Sequence, residues 1–404
     1  MALARRILPI TAALLATVAA TLVAQGKAPR RPRLSRDADT CDAYAYYQYG
    51  LEELQEEPER AVSAFYWAQR LSPGSAVTYY GERIALLMED ASLLQHYVEA
   101  DRRTLASAAV QRIDSLHLRA LDLDPFFPEQ LDEELIVAYF KNMVREWLRG
   151  HGEQTGEGDI DFYVRREIGN ADMETRAWLA FGRGNYREAV NTWGQQERSE
   201  RKNAHLRARR AQAFFLLGLQ DSARAELDSA LTIARRADAE KMTYVYDSKA
   251  RWEYQLGRIE EMRGRDPMAR EAYQRTLVED LSFQPAHVRL AYVALRLGDT
   301  TEAITELRRA IEIKGDEYTS RFALGTVYAA RHATDSATAQ LRRAIEIEPW
   351  VAQPHFVLAD VRRVAGDRDG AAAAYRDFVA LAARSDPSLG IAQQRLAALT
   401  TSAP

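Results

Sequence analysis

The chain has 404 residues, of which 47% are hydrophobic and 28% charged, with a formal net charge of -4. That is enough apolar material for a sizeable core, and the acidic balance excludes the basic stripe by which a nucleic-acid binder holds phosphates. Only six of the 54 basic residues are lysine, but the arginines alternate with Glu and Asp, so most are expected to be solvated rather than to read phosphate.

Residues 1–26 open with Arg5 and Arg6, continue as an apolar run over 7–24 and end in small residues at Ala24 and Gly26. The pattern predicts a secretory signal peptide and a periplasmic or secreted body. The alternative is an uncleaved helix that anchors the body to a membrane, since the run approaches a bilayer-spanning length. Lys27, Arg30, Arg31, Arg33 and Arg36 follow at once, which puts more positive charge on the exported side than is usual. Residues 27–40, with Pro29, Pro32 and this cluster, read as an extended linker, because proline leaves helix interiors and like charges repel. Cys41 is the one cysteine, so no internal disulfide can form, and its context does not resemble that of a lipoprotein cysteine.

Helices are expected from residue 41 onward. Over 41–172 the pattern is degenerate. Tyr46, Tyr49 and Gly50, then Ala61, Phe65, Ala68 and Pro73, predict one helical hairpin, and Tyr80, Gly81 and Ile84 begin a second. Among Tyr44, Tyr46, Tyr47 and Tyr49, packing is expected ahead of ligand contact. The stretch 89–171 is irregular, although Ala120 and Pro125 look like the end of a second helix. Residues 128–149 are amphipathic, and 150–161 read as an acidic, glycine-containing loop whose order fits no calcium-binding helix–loop–helix.

Regular periodicity occupies 173–383. Trp178, Gly184, Tyr186, Ala189 and Trp193 make one unit, and Phe214, Gly218, Ala223, Leu227 and Ala230 the next. From Ala223 to Ala269 the step is 46, or 34 plus 12, which predicts a second helix and a following first helix each about six residues longer, roughly 9 Å. Then Leu256, Leu290, Leu324 and Leu358 step by 34, as do Gly257, Ala291, Gly325 and Ala359, and Ala269, Ala303, Ala337 and Ala371. Small residues at fixed places predict two antiparallel helices in close contact, where a larger side chain would overpack. Residues 384–404 are expected to form a terminal helix, with Ile391, Leu396 and Leu399 covering the last open face.

The unit over 318–349, with Leu324, Gly325 and Tyr328 followed by Ala337, Leu341, Ala344 and Pro349, resembles a tetratricopeptide repeat, whose pattern is W-x2-L-G-x2-Y, A-x3-F and P over about 34 residues. Arg321 stands at the Trp place and Leu341 at the Phe place. The resemblance implies an all-α, right-handed α-solenoid of helix–turn–helix hairpins, whose first helices line a groove that receives a protein or peptide segment. By register it implies groove positions at Tyr254, Arg258, Val288, Tyr292, Phe322, Thr326, Phe356 and Asp360. Relatives that clamp a C-terminal carboxylate use Lys and Asn at two of these places, and neither is present, so that ligand class does not carry over.

Chemistry is not visible in the sequence. No two of the seven histidines are three or four residues apart, as a paired metal site on one helix requires. There is no CxxC, no G-x-S-x-G and no phosphate-binding G-x-x-x-x-G-K-[ST]. The reading is therefore a non-enzymatic scaffold or adaptor of a bacterial cell envelope, without cofactor or metal, whose partner is protein and not nucleic acid. Its rivals are an enzyme with a site hidden in 89–171 and a glycan-binding helical protein using the Tyr and Trp supply.

Overall fold

The computed structural model describes residues 28–90, 108–128, 172–197, 200, 202–240 and 248–401, with isolated positions between 137 and 166. The expected signal or anchor segment, and most of the amphipathic and acidic stretches at 128–161, lie outside the described residues. Among the described residues there are seventeen helices and no strands. The first four are α1 (Ala43–Glu53), α2 (Pro58–Leu71), α3 (Ala76–Glu89) and α4 (Ala108–Leu123). Next come α5 (Met173–Gly182), α6 (Tyr186–Glu197), α7 (Ala204–Leu216) and α8 (Gln220–Glu240). Four hairpins follow: α9 (Ala250–Met262) with α10 (Asp266–Glu279), α11 (Gln284–Arg296) with α12 (Thr300–Ile313), α13 (Tyr318–Ala330) with α14 (Thr334–Ile347), and α15 (Gln353–Val364) with α16 (Arg368–Leu381). The last helix is α17 (Leu389–Thr401). Within α1–α4 and within α5–α17 each helix packs on its neighbours in sequence, pair after pair, as in an α-solenoid.

Local chemistry starts and stops these helices where the 34-residue pattern requires. Side chains of Asp172, Asn203, Asp299, Glu317 and Asp367 accept hydrogen bonds from backbone N–H groups three residues on, satisfying donors that a helix start leaves open. The turn inside each hairpin needs a left-handed residue. Gly264, Gly298 and Gly366 have φ of 68°, 84° and 82°, and His332 takes the same place in its repeat at φ 57°. Around Gly298, the Gly298 N–H donates to Leu295 O and the Asp299 N–H to Ala294 O, the paired bonds that close a helix with a left-handed cap.

Within the hairpins, Tyr273, Leu307, Leu341 and Tyr375, also 34 apart, are all 0% exposed. They fill the space left by the small residues of the first helices. A Cβ at Gly257 would lie 2.3 Å from the Tyr273 ring, and one at Gly325 2.8 Å from Leu341 Cγ. Burying each such large side chain stabilises the array by about 1.5–3 kcal/mol.

Two expectations are corrected. The twelve extra residues are not shared between two helices: α8 has 21 residues where α10, α12, α14 and α16 have 14, while α9 has 13, like α11 and α13. Seven of the twelve extra residues belong to the second helix, α8. In α17, Leu396 and Leu399 pack on the last hairpin as expected, but Ile391 is exposed and Ala392 is buried in its place. A close helix crossing admits only a small side chain there.

Residues 28–90 and 108–128 form an arm, with α1–α4 folded round a core of Leu54, Phe65, Tyr80, Ile84, Ile113 and Phe127. Tyr46 is buried in that arm and Tyr44 is exposed. The linker is extended and docked: Pro29 O accepts from Trp67 Nε1 at 2.9 Å, and Arg31 Nε donates to the Tyr46 hydroxyl at 2.8 Å.

Candidate protein-interaction site

The arm lies against the array that follows it, antiparallel to the order of the repeats. Near its start, Asp39 Oδ2 accepts from the Arg384 N–H at 2.5 Å and Cys41 Sγ approaches Ala380 O at 3.7 Å. Further along, Trp67 packs edge-on to Trp350 with ring centroids 5.4 Å apart, and Arg70 pairs with Glu348 at 2.9 Å. Arg119 in α4 then pairs with Glu317 at 2.6 Å. Asp122 meets Arg251 at 3.3 Å, and its carbonyl accepts from the Tyr254 hydroxyl at 3.2 Å. Finally Phe126 stacks on Phe215 at 3.8 Å. The array's contact residues Arg384, Trp350, Glu317 and Arg251 lie five, three and one residues before α17, α15 and α13 and at the second residue of α9, so the arm meets the array near the starts of several helices, at a different place in each.

Between arm and array lies a cavity of about 200 Å³. The arm contributes Gly74, Arg119, Asp122 and Leu123, and the array Tyr254, Gln284, Pro285, Val288, Arg289, Tyr292, Glu317 and Thr319. Three of the eight residues placed in the groove by register, Tyr254, Val288 and Tyr292, therefore come together here. Tyr254 is 2% exposed. Burial, with the carboxylates of Glu317 and Glu261, pushes the Tyr292 hydroxyl up to about 12, so it remains a neutral donor. Arg258 is half-buried a turn beyond Tyr254, and its Nη1 is buried without a hydrogen bond.

The other four do not join this cavity. Phe322 stacks on Tyr318 at 5.6 Å, and Thr326 is exposed, its hydroxyl donating to Phe322 O at 2.9 Å. Phe356 packs 5.1 Å from Phe378 and 6.1 Å from Tyr375, with the Arg395 guanidinium of α17 5.7 Å from its ring. Asp360 accepts from the Tyr375 hydroxyl and from Arg395 Nη1, both at 2.6 Å. The terminal helix thus covers the end of the row, and the eight residues form separate environments rather than one open strip.

Two buried glutamates hold the arm, and their environments differ. Burial raises the Glu317 carboxyl, but the Arg119 guanidinium and the Ser320 N–H outweigh it and hold the group below its ordinary range. At Glu348 burial wins, pushing the carboxyl up to about 7 despite Arg70 at 2.9 Å. The second oxygen explains the difference: Glu348 Oε2 is buried with no hydrogen-bond partner. Sequence reasoning named neither pair, nor Trp67 and Trp350. The one local signal was the helix-start position of Glu317. Among the described residues no group of His, Cys, Asp and Glu is arranged to hold a metal ion, and no helix is long and apolar enough to cross a membrane.

Comparison with known families agrees with the repeat seen in the helices. Residues 284–317, which span α11 and α12, match the sequence model of the tetratricopeptide repeat. That segment is thus one tetratricopeptide repeat, and the neighbouring helix pairs repeat its 34-residue length. No curated protein matches the chain. Among solved structures it is similar to YrrB, described as a tetratricopeptide-repeat protein with an unusual peptide-binding site, at 18% identity and a TM-score of 0.42, covering 52% of this chain and 100% of that one. MamA from Desulfovibrio magneticus RS-1 is similar at 18% identity and 0.38, covering 44% and 94%. Yeast Tom70 is similar at 14% identity and 0.43, covering 90% and 89%.

Proposed function

We propose that this chain is a non-enzymatic scaffold of a bacterial cell envelope that binds a protein segment along the face formed by its first helices. The observation that carries the reading is the arm itself: this side of the array already holds polypeptide, through contacts spread from Arg384 to Arg251. An interaction surface needs aromatic anchors beside polar groups, and Trp350, Tyr254 and Tyr292 stand beside Glu317, Glu348 and Arg251 here. The envelope setting rests on the charged, apolar and small-residue order of residues 1–26.

A photo-crosslinking amino acid at Tyr292, compared with one at the exposed Arg342 of α14, tests the binding face in the native host. A discrete adduct is expected from position 292 only, and equal adducts from both positions would overturn the reading. Mass spectrometry of the same protein tests export, with a start near Ala24 or Gly26 expected, and an intact Met1 on a freely dissolved form overturning it.

A further inference from the structure

The contact between arm and array has the character of an interface rather than of a core. The buried residues of the arm's hydrophobic cores are its own, with Ala138 packed against one of them from outside, and the arm's Phe126 enters a core of the array. The remaining contacts are ion pairs, single hydrogen bonds and the Trp67–Trp350 edge. Contacts of this mixed kind are typical of surfaces that form and separate. The array presents Trp350, Glu317 and Arg251 near the starts of three of its first helices, and any copy of the chain carries the same arm and the same array.

The geometry points to arm exchange: the edge formed by the first turns of the array is a docking surface for the α1–α4 arm of a second copy of this chain, and the arm in cis is its resident occupant. The inference rests on the reading of this face as a protein-binding surface and names one occupant for it. The charges fit only one way. Arg70 and Arg119 on the arm meet Glu348 and Glu317 on the array, so an incoming segment must bring cations to both places. In cis the arm has the advantage that its docking is intramolecular, whereas the arm of a second copy must pay for association. Exchange is therefore expected where copies are concentrated, or where a competing partner holds the arm away. A partner segment that takes this edge must first release the arm.

Two full-length charge-reversal variants test the exchange. One carries Arg70→Glu with Arg119→Glu, so that its arm is repelled by its own array. The other carries Glu317→Arg with Glu348→Arg, so that its array repels its own arm. Neither pairs with itself in cis or in trans, but each arm is complementary to the other's array. The expected result, by light scattering behind size exclusion at concentrations on the order of 10 μM, is one-chain mass for each variant alone and two-chain mass for more than half of the equimolar mixture. The chain carrying all four substitutions should close on itself and return to one-chain mass. Because Glu317 also caps α13, the milder pair Arg70→Glu and Glu348→Arg is run in parallel, with circular dichroism to show that each chain folds. A folded mixture that stays at one-chain mass overturns arm exchange, as does two-chain mass of either variant alone to the same extent. The crosslink at position 292 reads binding of other proteins, so a failed mixture beside a retained crosslink refutes the exchange and not the scaffold.

Discussion

Replacing Gly325 offers the sharpest check on how the hairpins pack. A Cβ there would lie 2.8 Å from Leu341 Cγ, 3.0 Å from its Cδ2 and 3.3 Å from its backbone nitrogen. Ordinary carbon contacts are about 3.5–4.0 Å, so the shortfall is up to about 1 Å. The backbone nitrogen means that α14 as a whole must yield, not one rotamer. Overpacking of this kind costs about 1–3 kcal/mol, while removing a glycine from a helix interior returns about 0.5–1 kcal/mol. Gly325→Ala should therefore destabilise by about 0.5–2 kcal/mol and Gly325→Leu by about 3 kcal/mol or more. Thr326→Ala is the control: the position is exposed and loses one bond to its own helix, so the change should be within about 0.5 kcal/mol. Urea unfolding of the full chain, followed by circular dichroism, reads all three. A cycle with Leu341→Ala should show coupling, because the cavity left by leucine receives the new methyl group. Equal midpoints for Gly325→Leu and Thr326→Ala would refute the packing argument.

Three further outcomes follow from the structure. His332 occupies a left-handed cap at φ 57° where its counterparts are glycine, so His332→Gly should raise the unfolding midpoint by the equivalent of about 1 kcal/mol, and a lower midpoint would show that its side chain contributes more than its strain. Phe356→Ala should cost about 3 kcal/mol, because the ring packs on Phe378 and Tyr375; loss of partner binding at unchanged thermal stability would mean that the ring serves the groove instead. The two latching glutamates predict opposite pH effects. Glu348, raised to about 7, contributes stability that is complete below its ordinary 4.5 and lost as pH rises through about 7, whereas Glu317, held below 4.5, contributes stability that is lost as pH falls through its lowered value. Urea midpoints should therefore be highest near pH 5, decline between about pH 5 and 7 and level off above that, and Glu348→Gln should flatten the decline; an unchanged decline would remove Glu348 as its cause.

The repeat was legible in the sequence because it is made of local requirements. A first helix needs a small residue where its partner's Tyr or Leu enters, and Gly257, Ala291, Gly325 and Ala359 stand at that place every 34 residues. The capping residues Asp299, Glu317 and Asp367 act within three positions of themselves, so their meaning is written beside them. Other features needed the packed chain. Either way of dividing the twelve extra residues fits the 46-residue step, and only the folded helices show that α8 is lengthened and α9 is not. Along α17, Ile391 and Ala392 are equally plausible inward residues until the crossing with α16 leaves room for a methyl group alone. The register placed Tyr254, Val288, Tyr292 and Phe356 on one face, but whether that face stays open depends on what returns to cover it. Arg70 and Glu348 are 278 residues apart and Arg119 and Glu317 are 198 apart. No local pattern marks such pairs, because an arginine that will meet a buried glutamate reads the same in the sequence as one that will face water. Closure of the arm over the array is a property of the assembled chain, in which Trp350 and Glu348 come to lie opposite α2, and Glu317 and Arg251 opposite α4.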